Sequence, residues 1–422
     1  MVLGRKIRNM VLIFVFSNLC MIGIVAATYL IPNTALRQNT EQSYNILQKE
    51  GFYPKFIDFD RIFFYDNYTD SLIINTVSLQ PEENIFVAAL ENNVSKLGME
   101  EGNPMEGIEE LLEDETQYTP YLHYFCWIAP LLKVLFLFWN IGEIRLLLFS
   151  CGLLMAGAVL YKLKRVINMS AAAGLAVALV GGGCLTNIMC IAYSTDIILM
   201  YAGMLLVLIF YEKNRERLFF NERYVFFILG MLCFMLNYWS MPTITLCGPL
   251  TVLILLKIKD NRNTWYIKDI ICDSVCWALG IGSEILFRFG TAYALSGQIT
   301  ALGNLENYIA SKTVDNVSGG RLRLETVYYS VAKYFTRINK YIFCGMLLIL
   351  LICLVKEIKS VNGSQRSRIL VVLNFAMIAA IPLVWIGVLY NHTYHGFDIF
   401  PICMSSFAFT SAFAAQLKMG EE

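Results

Sequence analysis

Asp66 and Asp70 stand four residues apart in "FYDNYTDSLIINTVSL" (64–79), directly ahead of an apolar run that carries no charge. On a helix that spacing puts both carboxylates on one face. A carboxylate at the edge of an apolar region is partly desolvated. Its pKa then rises toward neutrality, which suits it to general-base work. Plain helix capping competes with this expectation. Asn67 and Thr69 are N-cap residue types, and an acid at the start of a helix near Tyr68 is favoured by the helix dipole.

Further groups have the types that a phosphate or sugar site requires. Arg145 and Arg288 stand near the ends of apolar runs, and Arg321, Arg323, Lys333 and Arg337 form a basic set in the segment 290–340. Guanidinium groups pair well with a phosphate leaving group, although arginines at such places also snorkel to the interface. His392 and His395 stand three apart in "YNHTYHGFDIF", near Asp398. With that carboxylate they could hold a divalent ion such as Mg or Mn, or contact phosphate or sugar, or be plain interfacial polar residues. No residue is assigned as a metal ligand on this evidence, and the cofactor stays open. Asp196 opens an apolar run, as a substrate contact or a helix cap. Tyr238 and Trp239 could stack on a sugar ring or belong to an aromatic belt.

These residues need a scaffold, and the composition names its class. The 422 residues are 57% hydrophobic and 16% charged, with a mean hydropathy of +0.56. A soluble domain of this size cannot bury that much apolar surface, so an all-α integral membrane protein is expected. Twelve cysteines occur with no CxxC and no metal-like Cys/His spacing. Runs long enough to span fall at about 11–31, 142–161, 169–187, 191–211, 223–239, 241–257, 270–289, 341–355, 369–390 and 399–416, about ten in all. The first follows a basic start and reads as an uncleaved signal anchor. Basic clusters at 4–8, 162–165, 212–217, 257–262 and 356–368, with the C-terminal tail, fall on alternate loops. The positive-inside rule puts them all, and both termini, in the cytoplasm.

The chain then divides into three parts. Residues 1–289 form a membrane domain with the anchor, a large external loop (32–141) and spans two to seven. Residues 290–340 form a basic external loop, and 341–422 a three-span C-terminal segment. "YTPYLHYFCWIAPLLKVLFLFWN" (118–140) holds Pro120, His123, Pro130 and Lys133, and is expected as helices lying along the outer interface. Polar groups concentrate on the outer side, and the cytoplasmic loops carry no nucleotide-binding motif.

The stretch 118–165, continuing "NIGEIRLLLFSCGLLMAGAVLYKLKR", resembles the C-type membrane glycosyltransferases, among them protein mannosyltransferases and aminoarabinose lipid A transferases. Pro120, Gly142, Arg145 and Leu146 fill places of that family's pattern. Thr195 and Asp196 look like the opening of its fourth span, and "FFILGMLCFMLNYWSMPTITLCGPLTVLILLK" is similar to a later helix pair. The resemblance covers about 10–260, and the chain also resembles uncharacterised polytopic membrane proteins of Gram-positive bacteria. It implies a catalytic acid in the first external loop, where Asp66 fills the first acidic place. Asn67 replaces the second acid, which returns at Asp70, and Asp58 and Asp60 in a lengthened loop compete for the role.

The expected activity is sugar transfer from a polyprenyl-phosphate donor to an extracytoplasmic glycan, lipid or protein acceptor. It would take place in the plasma membrane, with an external-loop aspartate as base and no nucleic acid involved. A polysaccharide polymerase or ligase would instead place its chemistry in 290–340. A secondary transporter would need ionisable groups at mid-span, where Glu284 is the main example. A non-enzymatic scaffold ranks third.

Overall fold

The structure is a computed structural model. It describes residues 2–54, 65–79, 84–91, 93–95, 103–113, 118–120, 126–236, 241–261, 265–296, 365–389 and 399–416, with a few single positions between 325 and 348. These form helices, apart from one short antiparallel pair of strands. In chain order they are α1 (Val2–Thr28), α2 (Arg37–Glu50), α3 (Asn67–Val77), α4 (Ile85–Glu91), α5 (Pro104–Leu112), α6 (Ile128–Phe136), α7 (Ile141–Val166) and α8 (Met169–Gly181). There follow α9 (Ile191–Leu236), α10 (Pro242–Asp260), α11 (Ile267–Ser296), α12 (Gln365–Val388) and α13 (Ile399–Gln416). Strands β1 (Asn93–Ser95) and β2 (Tyr118–Pro120) pair within the segment between α1 and α7.

Six of these helices are long and apolar enough to cross a membrane: α1, α7, the first part of α9, and α10, α11 and α12. They match six of the ten expected runs, so the chain is a multi-span helical membrane protein. Of the other four runs, 169–187 holds the shorter α8 of 13 residues and 223–239 the second part of α9. The run 399–416 is the 18-residue α13, and of 341–355 only Gly345 and Leu348 are among the described residues. Lys133 and its neighbours form the nine-residue α6, too short to span.

Burial ranks the helices. In α10, 94% of the apolar window is buried, against 17% in α1. The first is therefore the centre of the bundle, with α9, α11, α12 and α13 packed on it, and the second a peripheral helix. Phe16, Leu19, Leu154, Leu279 and Leu286 are exposed, as suits side chains that meet lipid tails. Where α9 meets α11 the backbones touch. A Cβ on Gly280 would lie 2.2 Å from the Phe227 carbonyl oxygen, and one on Gly230 would lie 2.1 Å from that of Trp277.

Two ends of the bundle differ in chemistry. At one end the basic clusters are tied by ion pairs. Lys162 and Arg165 meet Glu212, Arg215 meets Asp260 at 2.9 Å, and Lys257 meets Glu222 at 2.8 Å and Asp269 at 2.9 Å. Asn214, in extended backbone, breaks α9 there, so the chain turns back into the bundle. The opposite end carries α2 to α6, the helices of the long segment after α1.

The glycine contacts give a direct test of the α9–α11 packing. Gly280→Ala and Gly230→Ala should each lower the apparent unfolding temperature in detergent, at a cost of about 1–3 kcal/mol from overpacking. Gly282→Ala, with nothing within 4 Å of the added carbon, should leave it unchanged.

Candidate functional site

The site starts at the end of α2. Glu50 is its last residue, and Gly51 (φ 76°) adopts the left-handed conformation that lets the chain leave the helix. The chain closes on itself past that point, with Tyr65 N–H donating to the Pro54 carbonyl at 3.1 Å and Asn67 N–H to that of Phe52 at 2.9 Å. This closure delivers Asp66 to the N-cap of α3. Its carboxylate accepts from the Thr69 amide at 3.1 Å and the Thr69 hydroxyl at 2.7 Å. The Tyr193 hydroxyl, from α9, donates to it at 3.4 Å.

One turn along, Asp70 is fully buried between α7 and α9. It accepts from the Arg145 guanidinium at 3.3 Å, from the Ala192 amide at 3.0 Å and from the Cys190 thiol at 3.5 Å. The Ala192 amide belongs to the first turn of α9, where N–H groups have no partner within the helix. Asp70 therefore caps α9 from outside. Burial lifts its carboxyl from the usual 3.8 to about 6, against the opposing pull of Arg145 and the Ala192 amide.

Arg145 stands in the second turn of α7, whose start is fixed by a capping box of Asn140 and Glu143. Its guanidinium donates to Glu50 at 2.8 Å, to Asn67 at 2.6 Å and to Asp70 at 3.3 Å, and lies 4.2 Å from the Tyr65 ring centroid. Asn67 acts as a neutral bridge. Its amide nitrogen donates to the Gly51 carbonyl and to Glu50, and its oxygen accepts from Arg145.

Two other buried cations at this end also sit on helix termini. Lys133 of α6 donates to the Leu79 carbonyl, just past α3, at 2.6 Å and to the Asn33 side chain at 3.2 Å. Burial pulls its ammonium from the usual 10.5 down to about 8. Arg288 of α11 donates to the carbonyl of Glu91, the last residue of α4, at 2.9 Å. Cations at C-terminal carbonyls and carboxylates at N-terminal amides both follow the helix dipole.

The structure thus brings Asp66, Asp70 and Arg145 together, along with Glu50, Asn67, Tyr65, Tyr193 and Cys190, which sequence reading did not assign to a site. Asp196 is not among them. It is buried on α9, where it accepts from the Met241 amide at 2.8 Å and the Cys233 thiol at 3.6 Å, and so caps α10. Arg288 holds α4. Asp58, Asp60, Arg321, Arg323, Arg337, Tyr238, Trp239, His123, His392 and His395 lie outside the described residues. Among the described residues, no three His, Cys, Asp or Glu side chains are grouped to hold a metal ion. Glu50 had one sequence signal, a carboxylate directly before a glycine. Lys133 had another, a single charge inside "IAPLLKVLF".

No protein-family model matches this chain, and no curated protein or solved structure is significantly similar to it.

Arg145→Met would leave the buried Asp70 without its cation. A stability loss of about 3–5 kcal/mol is expected, measured as a lower unfolding temperature by fluorescence-detected gel filtration. A second outcome concerns pH. Because folding raises the pKa of Asp70, its contribution is fully present below about 3.8 and is lost as pH rises through about 6. The unfolding temperature of wild type, minus that of Asp70→Asn, should therefore fall across that window. A flat difference would count against the buried, protonatable Asp70.

Proposed function

We propose that this chain is a membrane glycosyltransferase that moves a sugar from a polyprenyl-phosphate donor to an acceptor hydroxyl, with Asp66 as general base. The observation that carries the reading is the pair of carboxylates on the first turn of α3. They stand at the end of an apolar bundle opposite its basic clusters, and they are unequal. Asp70 is engaged by a guanidinium and a helix amide. Asp66 accepts from the Thr69 amide and from the Thr69 and Tyr193 hydroxyls, and the longest of those contacts, 3.4 Å from Tyr193, is the one an acceptor hydroxyl would replace. In the transfer, the acceptor oxygen bonds to the sugar's anomeric carbon while the bond from that carbon to the phosphate oxygen breaks. The hydroxyl proton passes to Asp66, and the electron pair leaves with the polyprenyl phosphate.

The phosphate needs cations, and the geometry redistributes that role. Arg145 is occupied by Glu50, Asn67 and Asp70, and Arg288 by the end of α4. The donor phosphate then falls to the basic segment 290–340, through Arg321, Arg323 and Arg337. The positive-inside pattern makes the Asp66 end extracytoplasmic, in the plasma membrane. The acceptor there is a glycan, lipid or protein of the cell surface. A secondary transporter is the second reading, favoured by the buried carboxyls Asp273 and Glu284 on α11.

The test replaces the chromosomal copy with Asp66→Asn and compares surface glycans and extracted polyprenyl lipids by mass spectrometry. With the variant present at wild-type level, one sugar should disappear from the surface and a polyprenyl-phosphate sugar should accumulate. Unchanged glycans and lipids would exclude Asp66 as base.

A further inference from the structure

Asp273 lies on α11 at the basic end, far along the bundle from Asp66. It is fully buried, and among the described residues neither of its carboxylate oxygens has a hydrogen-bond partner. Asp269, four residues earlier on the same face, is about a third exposed and pairs with Lys257. Lys257 also pairs with Glu222, and both of those side chains are nearly buried. The charges nearest to Asp273 are Glu222 and Arg223 of α9, Lys257 of α10 and Asp269 of its own helix. Its other titratable neighbour is the Cys276 thiol, which itself faces Cys272 and Lys6 of α1.

Glu222 and Asp269 both pair with Lys257, and the most deeply buried carboxylate, Asp273, is left with no hydrogen-bond partner among the described residues. An ionised carboxylate without a hydrogen-bond partner in such surroundings is costly. One monovalent positive charge removes that cost. A metal ion would need several grouped ligands, and none are grouped here among the described residues.

We propose that Asp273 is an intramembrane proton-binding site, reached from the basic end through the Asp269–Lys257–Glu222 cluster. The way in runs from half-exposed Asp269 to the nearly buried pair and then to Asp273. Beyond Asp273 the packing is tight. One turn beyond, the Trp277 indole donates to the Thr245 hydroxyl at 3.0 Å, and the α9 and α11 backbones touch at Gly230 and Gly280. Glu284, three turns along the same face and bonded to Asn18 at 3.0 Å, is cut off by that contact. The proton is therefore held and exchanged at one end and is not passed across. This site stands apart from the transferase reading and does not depend on it.

Infrared spectroscopy of the full chain in nanodiscs, with the aspartate carboxyls labelled with carbon-13, tests the proposal. Spectra are taken at about pH 8, where ordinary carboxyls are ionised. A labelled carboxylic-acid band is expected, which shifts in heavy water, vanishes in Asp273→Asn and persists in Asp70→Asn. Should Asp273→Asn fail to fold, Asp273→Glu with labelled glutamate must move the band to the new label. Absence of the acid band in wild type overturns the proposal. So does its survival in Asp273→Asn, or its suppression by sodium chloride but not choline chloride, which would make the ligand sodium.

Discussion

The Arg145 guanidinium is the contact on which the Asp66 end of the molecule depends. It reaches Glu50 at the end of α2 and Asn67 and Asp70 at the start of α3, from a position in α7. Through Asp70 it also touches the first amides of α9. A guanidinium buried in a low-dielectric setting must keep its partners, because losing any one leaves a charge stranded. Four helices are therefore held in one arrangement by a single side chain. Lys133 and Arg288 repeat the device at the ends of α3 and α4, and Asp196 repeats it with opposite sign at the start of α10. Helix ends are the natural targets, since their unpaired carbonyls and amides need partners once they are removed from water.

That arrangement separates two carboxylates of the same kind. Asp70 is part of the clamp, with its oxygens engaged by Arg145, Ala192 and Cys190. Asp66, a single turn earlier, accepts from the Thr69 amide and from the Thr69 and Tyr193 hydroxyls. Arg145, near the end of a span, directs its donors to Glu50, Asn67 and Asp70. The basic end shows the contrasting case. There the ion pairs join α7, α9, α10 and α11, and Asp273 lies buried with no hydrogen-bond partner among the described residues.

The hydrophobic pattern determined much of this without a structure. Runs of apolar residues too long to be anything but spans gave six helices that the structure contains, because a lipid-facing backbone must satisfy its own hydrogen bonds within the helix. The alternation of basic clusters kept 118–140 from being counted as a span, since counting it would put 162–165 on the outer side. Asp66 and Asp70 were legible as a pair, since four-residue spacing on a helix is a local property. Their difference was not legible. It arises from Arg145, Ala192 and Tyr193, which lie 75 to 127 residues away along the chain. Asp196 and Arg288 read as site residues for the same reason that they read as charges near span ends. Only packing shows that each one closes the end of another helix. Residue type and local period are written in the chain, but the partner that completes a buried charge is chosen by which helices touch, and that is decided in three dimensions.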